Sequence, residues 1–310
     1  MISIILPIYN AEAFLKRMLV SVSKQTFENY ELLLINDGST DDSELICLEA
    51  QQKDKRIRYI RQTNQGVSAA RNLGIKESKG EYITFLDADD EIDNNYLYEL
   101  YNACRDVDIS VCKVLGETEE GYVNFEFNPG NRYLNSKDAL NCLLSRTKIN
   151  SGPCAKLFKK NLIESIRFPN LKAYEDILFN ILVFHSAVCI RCVDTTAYHY
   201  INNNDSAMNK FSNMPSLDIV KATDIIMQYL GANPDLSLEC EYITLSHLYQ
   251  YVIVYYSRGL SNNKFIKESR KVFRKNIIKL IANSYFTWKE KILYCLFAVN
   301  IDILKNRYYQ

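Results

Sequence analysis

Residues 2–8 form a short β-branched apolar run that closes on Pro7-Ile8-Tyr9-Asn10, and the following AEAFLKRMLVSVSKQ returns apolar residues at helical spacing. This spacing predicts a strand feeding a helix. The unit recurs at 30–36 (YELLLIN), where a continuous buried strand is followed by the polar turn DGSTDDS and a helix to about residue 52. A third strand is predicted over 56–62 with a helix over 67–78, and a fourth over 82–86 ends on Asp87-Ala88-Asp89-Asp90. Strands that alternate with helices and are apolar throughout predict an α/β fold with a parallel sheet covered on both faces.

Farther along, the pattern is strand-like and mixed from 106 to 130, and helical over 135–146 and 153–163. A helix over 174–186 opens on Glu175-Asp176, where acidic groups suit the positive end of the helix dipole. Residues 188–200 alternate as a strand, 202–206 (NNNDS) form a polar loop, and the chain beyond about 213 reads as all-helical. The division expected is 1–213 for an α/β domain and 214–310 for a helical module.

A hydrophobic fraction of 47% with 24% charged residues fits a chain of 310 residues that buries a sizeable core. The formal charge is zero, which excludes a nucleic-acid footprint spread over the whole chain. That zero hides an asymmetry, because residues 264–310 hold eleven Lys/Arg against three Asp/Glu. Nine scattered cysteines, an odd number, read as reduced thiols of a cytosolic compartment, and Cys189-Ile190-Arg191-Cys192 without a second pair reads as structural. MISIILPIYN has neither the basic n-region nor the small-residue cleavage site of a secretory signal, and no apolar stretch reaches the roughly eighteen residues of a spanning helix. A cytoplasmic chain, soluble or peripheral to the membrane, is the expectation.

Ligands of open α/β sheets bind beyond the carboxyl ends of the strands, and the polar groups Tyr9, Asn10, Asp37 to Asp41 and Asp87 to Asp90 cluster at those ends. Asp87 and Asp89 project to one side if the chain stays extended, and two hard oxygen donors suit magnesium or manganese that keeps open positions for phosphates. An acidic turn after a strand is also what a solvated helix entry looks like. Asp37 suits a hydrogen bond from a base N–H, or an N-cap in Asp37-Gly38-Ser39-Thr40. Arg71 reads as a cation over a nucleotide or as a surface charge. Asp176 has the chemistry of a base that takes a proton from an attacking hydroxyl, and Glu175-Asp176 together also read as helix caps. His199, at a strand end before the polar loop, reads as a metal or phosphate ligand, or as a structural histidine.

Taken in order, Pro7-Ile8-Tyr9-Asn10, Asn36-Asp37-Gly38-Ser39-Thr40-Asp41, the segments 64–72 and 80–90, Gly152-Pro153-Cys154-Ala155-Lys156-Leu157-Phe158 and Tyr174-Glu175-Asp176 resemble the family 2 glycosyltransferases. The resemblance covers about residues 1–206. It implies a GT-A fold, Rossmann-like with a mostly parallel central sheet flanked by helices. Residues 1–100 would be the nucleotide-sugar-binding half, 101–213 the acceptor half and 214–310 the C-terminal helical module. By position, the resemblance implies that Pro7, Tyr9 and Glu12 line the nucleotide pocket, Asp37 pairs with the base and Arg71 supports the nucleotide. Asp87, with Ala88, would meet the donor and Asp89 the metal, Mn or Mg. Asp176 would be the catalytic base and Glu175 would orient donor or acceptor hydroxyls. The arginine frequent after the last strand in this family is absent from Tyr198-His199-Tyr200-Ile201-Asn202, which gives His199 added weight as a metal ligand.

The implied activity is inverting transfer of a hexosyl or N-acetylhexosaminyl group from a UDP-linked donor to a glycan or lipid-linked acceptor of surface polysaccharide. Two other readings stay open: sugar-1-phosphate nucleotidyl transfer, which usually wants a glycine-rich phosphate loop after the first strand, and a non-catalytic nucleotide- or glycan-binding module of the same fold. KFIKESRKVFRKNIIKLI (264–281) puts Ile266, Phe273, Ile277, Leu280 and Ile281 on one face and seven Lys/Arg around the rest. Such a helix lies on anionic lipid or packs on its own domain, so the segment 264–310 predicts either contact with the inner membrane face or an internal packing role. The helical tail also offers a homodimer surface.

Overall fold

The computed structural model describes residues 1–118, 121–171, 174–202, 216–259 and 264–299. They fall into two compact units: Met1–Asn170 with residues 175–202, and residues 171, 174, 216–259 and 264–299.

Four strands, β1 (Ile2–Ile8), β2 (Tyr30–Asn36), β3 (Ile57–Arg61) and β4 (Tyr82–Phe85), pair in parallel in the order β3-β2-β1-β4. They are joined by α1 (Leu15–Ser23), α2 (Ser43–Lys53) and α3 (Val67–Glu77). Residues 2–6 and 30–36 are buried on both faces of the sheet, which is why the strands read as unbroken apolar runs. Gly74 of α3 sits so near β1 that an added Cβ would lie 2.4 Å from Ile5 Cγ2, so the helix packs at a distance that excludes any side chain there.

Beyond β4 come β5 (Glu91–Ile92), α4 (Tyr96–Cys104), β6 (Ile109–Thr118), β7 (Val123–Phe127), β8 (Arg132–Asn135), α5 (Ser136–Leu144), β9 (Lys156–Lys159), α6 (Lys160–Ile163), α7 (Glu175–Ser186) and β10 (Cys189–Asn202). The sheet continues from β4 as β9-β6-β10-β5, with β7 on β6 and β8 on β10. β10 runs parallel to β6, whereas β9 is antiparallel to both β4 and β6. The whole is an α/β sheet flanked by helices, as the pattern predicts.

Two expectations need correction. The helix expected over 153–163 is strand β9 followed by the single turn α6. Two flanking strands offer this segment a full set of ladder hydrogen bonds and bury Lys156, Leu157 and Phe158 completely, a tertiary gain that outweighs helical spacing over so few residues. The second is α4, whose Tyr96, Leu97, Leu100 and Cys104 are buried at helical spacing in a stretch where no element was expected.

The second unit contains α8 (Leu217–Ala232), α9 (Leu238–Ser257), α10 (Lys264–Lys275), α11 (Ile277–Ala282) and α12 (Trp288–Ala298). Its core is aromatic: Tyr249 meets Tyr294 at 4.4 Å between ring centroids, and Phe273 meets Phe297 at 5.4 Å. The basic amphipathic segment is two helices, parted where the Asn276 side chain donates to the Val272 carbonyl. No helix among the described residues is long and apolar enough to cross a membrane, and none of the nine cysteines, all among the described residues, is in a disulfide. Most of the polar loop 202–206 lies outside the described residues.

Candidate active site

The loops after β1 and β2 are laced together. Asn10, at φ +49°, accepts from the Thr40 N–H through Oδ1 at 2.8 Å, while Ser39 Oγ accepts from the Asn10 N–H at 3.1 Å. Glu12 joins the lacing, with Oε2 2.8 Å from the Asp42 N–H and its own N–H on Asp41 Oδ2. Its carboxylate is therefore engaged with the neighbouring loop. Pro7 is held within β1 opposite Ile35, and Tyr9 is 53% exposed at the strand end.

Asp37 is buried and accepts three hydrogen bonds from the segment after β3: Gln62 Nε2 at 2.7 Å and Gln65 N–H at 2.8 Å on Oδ1, and Gly66 N–H at 2.8 Å on Oδ2. A carboxylate offers about four acceptor positions, so one remains on Oδ2 for a base N–H. Gly38 is needed here, because it has φ +74° and a Cβ would meet the Asn64 backbone nitrogen at 2.8 Å. Beside this segment lies a cleft of about 280 Å³ lined by Gln65, Ser68, Ala69, Asn72, Phe168 and Asn170. A larger groove of about 410 Å³, bordered by Lys16, Arg17, Lys24 and Glu91, touches none of the site carboxylates except through the Arg17 bond to the Asp89 carbonyl.

Arg71 is not a surface charge. It is 5% exposed, with Nη2 2.9 Å from Asp87 Oδ1, Nη1 3.3 Å from Glu175 Oε1 and the guanidinium over the Phe168 ring at 5.4 Å. Burial opposes its charge, but Asp87 and Glu175 more than offset that and hold the proton more firmly than usual. Burial, with Asp176 adding to it and Arg71 opposing, pushes Glu175 up to about 7. Burial likewise raises Asp176 from its ordinary value, although Arg71 and the Ile177 N–H on Oδ1 at 2.7 Å favour its charged form. One buried cation thus joins a β4-end carboxylate to the α7 pair, across 104 positions of sequence.

Asp87 is occupied on both oxygens, since Oδ2 accepts from the Cys154 thiol at 3.4 Å. Metal holding would then fall to the half-buried Asp89, with Ala88 buried between the two. No group of three or more His, Cys, Asp or Glu side chains among the described residues forms a metal cage. A single hard carboxylate completed by phosphate oxygens and water is nevertheless how magnesium or manganese is commonly held, so the donor set fits a cation brought with a diphosphate.

His199, expected as a metal ligand, has both ring nitrogens engaged by carboxylates. Nε2 lies 2.9 Å from Asp93 Oδ1 and Nδ1 2.7 Å from Glu117 Oε1. The bond to Asp93 chiefly, against burial and with help from Glu117, pushes its pKa up to about 9. Two carboxylates facing the two nitrogens favour the ring that donates from both. The last strand instead contributes Tyr198, whose hydroxyl donates to Asp90 Oδ2 at 2.5 Å and accepts from the Asp87 N–H at 3.1 Å. Asp90 also accepts from the Ile201 N–H at 3.0 Å, and burial, reinforced by Asp89 and Asp87, raises its pKa well above the ordinary range. Tyr198 and Asp90 thereby fix the acidic turn from beneath. The third Asp of the run, Asp90, was the sequence signal for this support.

Residues 3–166 match the family model described as "Glycosyl transferase family 2". Glycosyltransferase GlyG of Streptococcus pneumoniae is 35% identical over 193 residues, covering 57% of this chain and 62% of that protein. The minor teichoic acid biosynthesis protein GgaB of Bacillus subtilis is 35% identical over 216 residues, 66% of this chain and 23% of GgaB. This chain therefore spans less than two thirds of the length of these relatives. Residues 1–349 of S. aureus TarS, solved with UDP-GlcNAc, superpose with a TM-score of 0.72 at 21% identity, over 99% of this chain and 89% of that one. The shared fold is GT-A.

Proposed function

The chain belongs to glycosyl transferase family 2, and from that premise we propose that it moves a hexosyl or N-acetylhexosaminyl group from a UDP-linked sugar to a hydroxyl of a glycan or lipid-linked acceptor in surface polysaccharide synthesis, with inversion. The observation that carries this is the Arg71 bridge, which brings Asp87 and the Glu175-Asp176 pair into one buried cluster. Residues 1–100 are assigned to the donor and 101–213 to the acceptor. Asp37 accepts from the base with its remaining lone pair, near the cleft at Gln65 and Ser68. Asp176 takes the proton of the attacking hydroxyl as the bond to the anomeric carbon forms and the diphosphate departs from the opposite face. Glu175, oriented by Arg71, holds a sugar hydroxyl. A divalent cation, Mn or Mg, held by Asp89 when donor binds, would supply charge neutralisation for the leaving diphosphate. The UDP-GlcNAc bound to TarS supports the uridine donor, and the name of GgaB supports a cell-surface polymer as the product.

The test is a thermal-shift screen of UDP-glucose, UDP-galactose, UDP-GlcNAc and UDP-GalNAc, with and without manganese, followed by UDP release with octyl glycosides as acceptors. A metal-dependent shift with one donor, and UDP release that needs an acceptor, are expected. Binding without release would favour the non-catalytic module instead.

Membrane contact is left to only part of the surface the sequence suggested. Ile266, Phe273 and Leu280 are buried inside the helical unit, as the packing alternative requires. Ile278, Ile281, Trp288 and Ile292 are instead more than half exposed, and Lys291 Nζ bonds to the Ile281 carbonyl at 2.7 Å, which brings α11 and α12 together at this surface. Peripheral binding at the inner membrane face is assigned to these residues. Ile278→Ser with Trp288→Ser is expected to lose co-flotation with phosphatidylglycerol vesicles; flotation equal to wild type would refute the assignment.

A further inference from the structure

Lys156, the first residue of β9, has no exposed surface. Its ammonium donates to Asn150 Oδ1 at 2.7 Å and to the backbone carbonyls of Asn150 at 3.0 Å, Gly152 at 2.6 Å and Cys154 at 3.2 Å. Every one of these acceptors is a neutral oxygen from one short segment. A buried ammonium is costly unless it is hydrogen-bonded, and an apolar residue would fill a central strand at no such cost. The charge at this position therefore goes into shaping the segment, which has no regular structure and turns back into β9 through Ala155 at φ +62°.

The same segment touches both sides of the acidic cluster. At one end the Cys154 thiol meets Asp87 Oδ2. In the middle, Gly152 lies where an added Cβ would be 3.8 Å from Asp176 Oδ2. Asn180, one helical turn after Asp176 and fully buried, donates to the Ser151 carbonyl at 2.8 Å and fastens the segment to α7 from behind. We propose that Lys156 is a positioning residue of the active site: its ammonium templates residues 150–154 into the wall that spaces Asp87 from Asp176 and bounds the path by which the acceptor reaches the base. This rests on Asp176 being that base. Burial pushes the Lys156 ammonium down to about 7, opposed by the nearby Cys154, Cys112 and Asp176. Loss of the proton with rising pH removes a donor from a cage made only of acceptors.

The experiment compares full-length wild type, Lys156→Met, which keeps length without charge, and the milder Asn150→Ala. Readouts are the dissociation constant of UDP, kcat for UDP release with the donor and octyl glycoside of the screen, and alkylation of Cys154 by iodoacetamide in the native protein. A reacting group misplaced by about 1 Å costs on the order of 100-fold. Lys156→Met is expected to bind UDP like wild type, to lose kcat on that scale and to expose Cys154 to alkylation. Asn150→Ala should likewise leave UDP binding unchanged and move kcat and Cys154 alkylation in the same directions by smaller amounts, and it decides the matter if Lys156→Met does not fold. Wild-type kcat in a folded variant, with Asp176→Asn inactive beside it, overturns the role of Lys156 alone. An active Asp176→Asn overturns the base assignment instead.

Discussion

Asp176→Asn is expected to reduce kcat for sugar transfer by about 10²- to 10⁴-fold, the usual contribution of a positioned general base, while UDP binds as it does to wild type. The substitution keeps the volume and the oxygen that accepts from the Ile177 N–H, so the α7 start is preserved. What is lost is a carboxylate able to take a proton. The pH dependence sharpens the test. Burial raises Asp176 and pushes Glu175 up to about 7, and only the deprotonated base works. Activity should therefore rise with pH along an acid limb displaced upward from that of an exposed Asp. Glu175→Gln removes a neighbouring negative charge and leaves more of the Arg71 charge for Asp176, so the acid limb should move to lower pH. An acid limb that Glu175→Gln leaves in place or moves to higher pH would be incompatible with this assignment.

Much of the first half of the sheet was legible because its signals are local. A strand buried on both faces must be apolar at every position, and YELLLIN shows this directly. The carboxylates at the ends of such strands then stand where ligands bind. The second half of the sheet was harder to read, since β9 is defined by two partners distant in sequence and its four residues carry no period of their own. The basic tail shows the opposite case: its amphipathic period correctly marks a buried face, but period alone does not say whether protein or lipid covers that face. Within the site, single residues could be nominated, while their couplings could not. Nothing near Arg71 in sequence indicates that it lies between Asp87 and Glu175, and a lysine beside Leu157 and Phe158 gives no sign of four carbonyl partners. His199 was noticed for its place at a strand end, yet its state is set by Asp93 and Glu117, which belong to other segments.

Arg71→Met should have the largest effect on stability, because it removes the cation from a largely buried Glu175 and from Asp87, whose side chain is 35% exposed and whose share of the cost is reduced by solvent screening. Breaking a buried ion pair by deleting one partner costs about 3–5 kcal/mol, mostly through the uncompensated charge left behind. Here two partners are left, Asp87 at 2.9 Å and Glu175 at 3.3 Å. Without Arg71, Glu175 rises further above its unfolded value, and a group whose folded pKa is raised is stabilising while protonated and loses that contribution as pH climbs through the folded value. The variant should therefore approach wild type in acid and fall progressively behind it through neutrality. Urea midpoints at pH 5 and pH 8 measure this: the gap between the two proteins should be wider at pH 8. Arg71→Lys is expected to recover only part of the loss, since one ammonium lacks the planar fork that reaches Asp87 and Glu175 with separate nitrogens. A gap that does not change with pH would mean that the cost is lost packing on Phe168 rather than stranded charge. The distinction bears on catalysis, because the charge that stabilises the cluster also favours the ionised form of Asp176. In Arg71→Met the acid limb of the rate should move to higher pH, the reverse of its movement in Glu175→Gln.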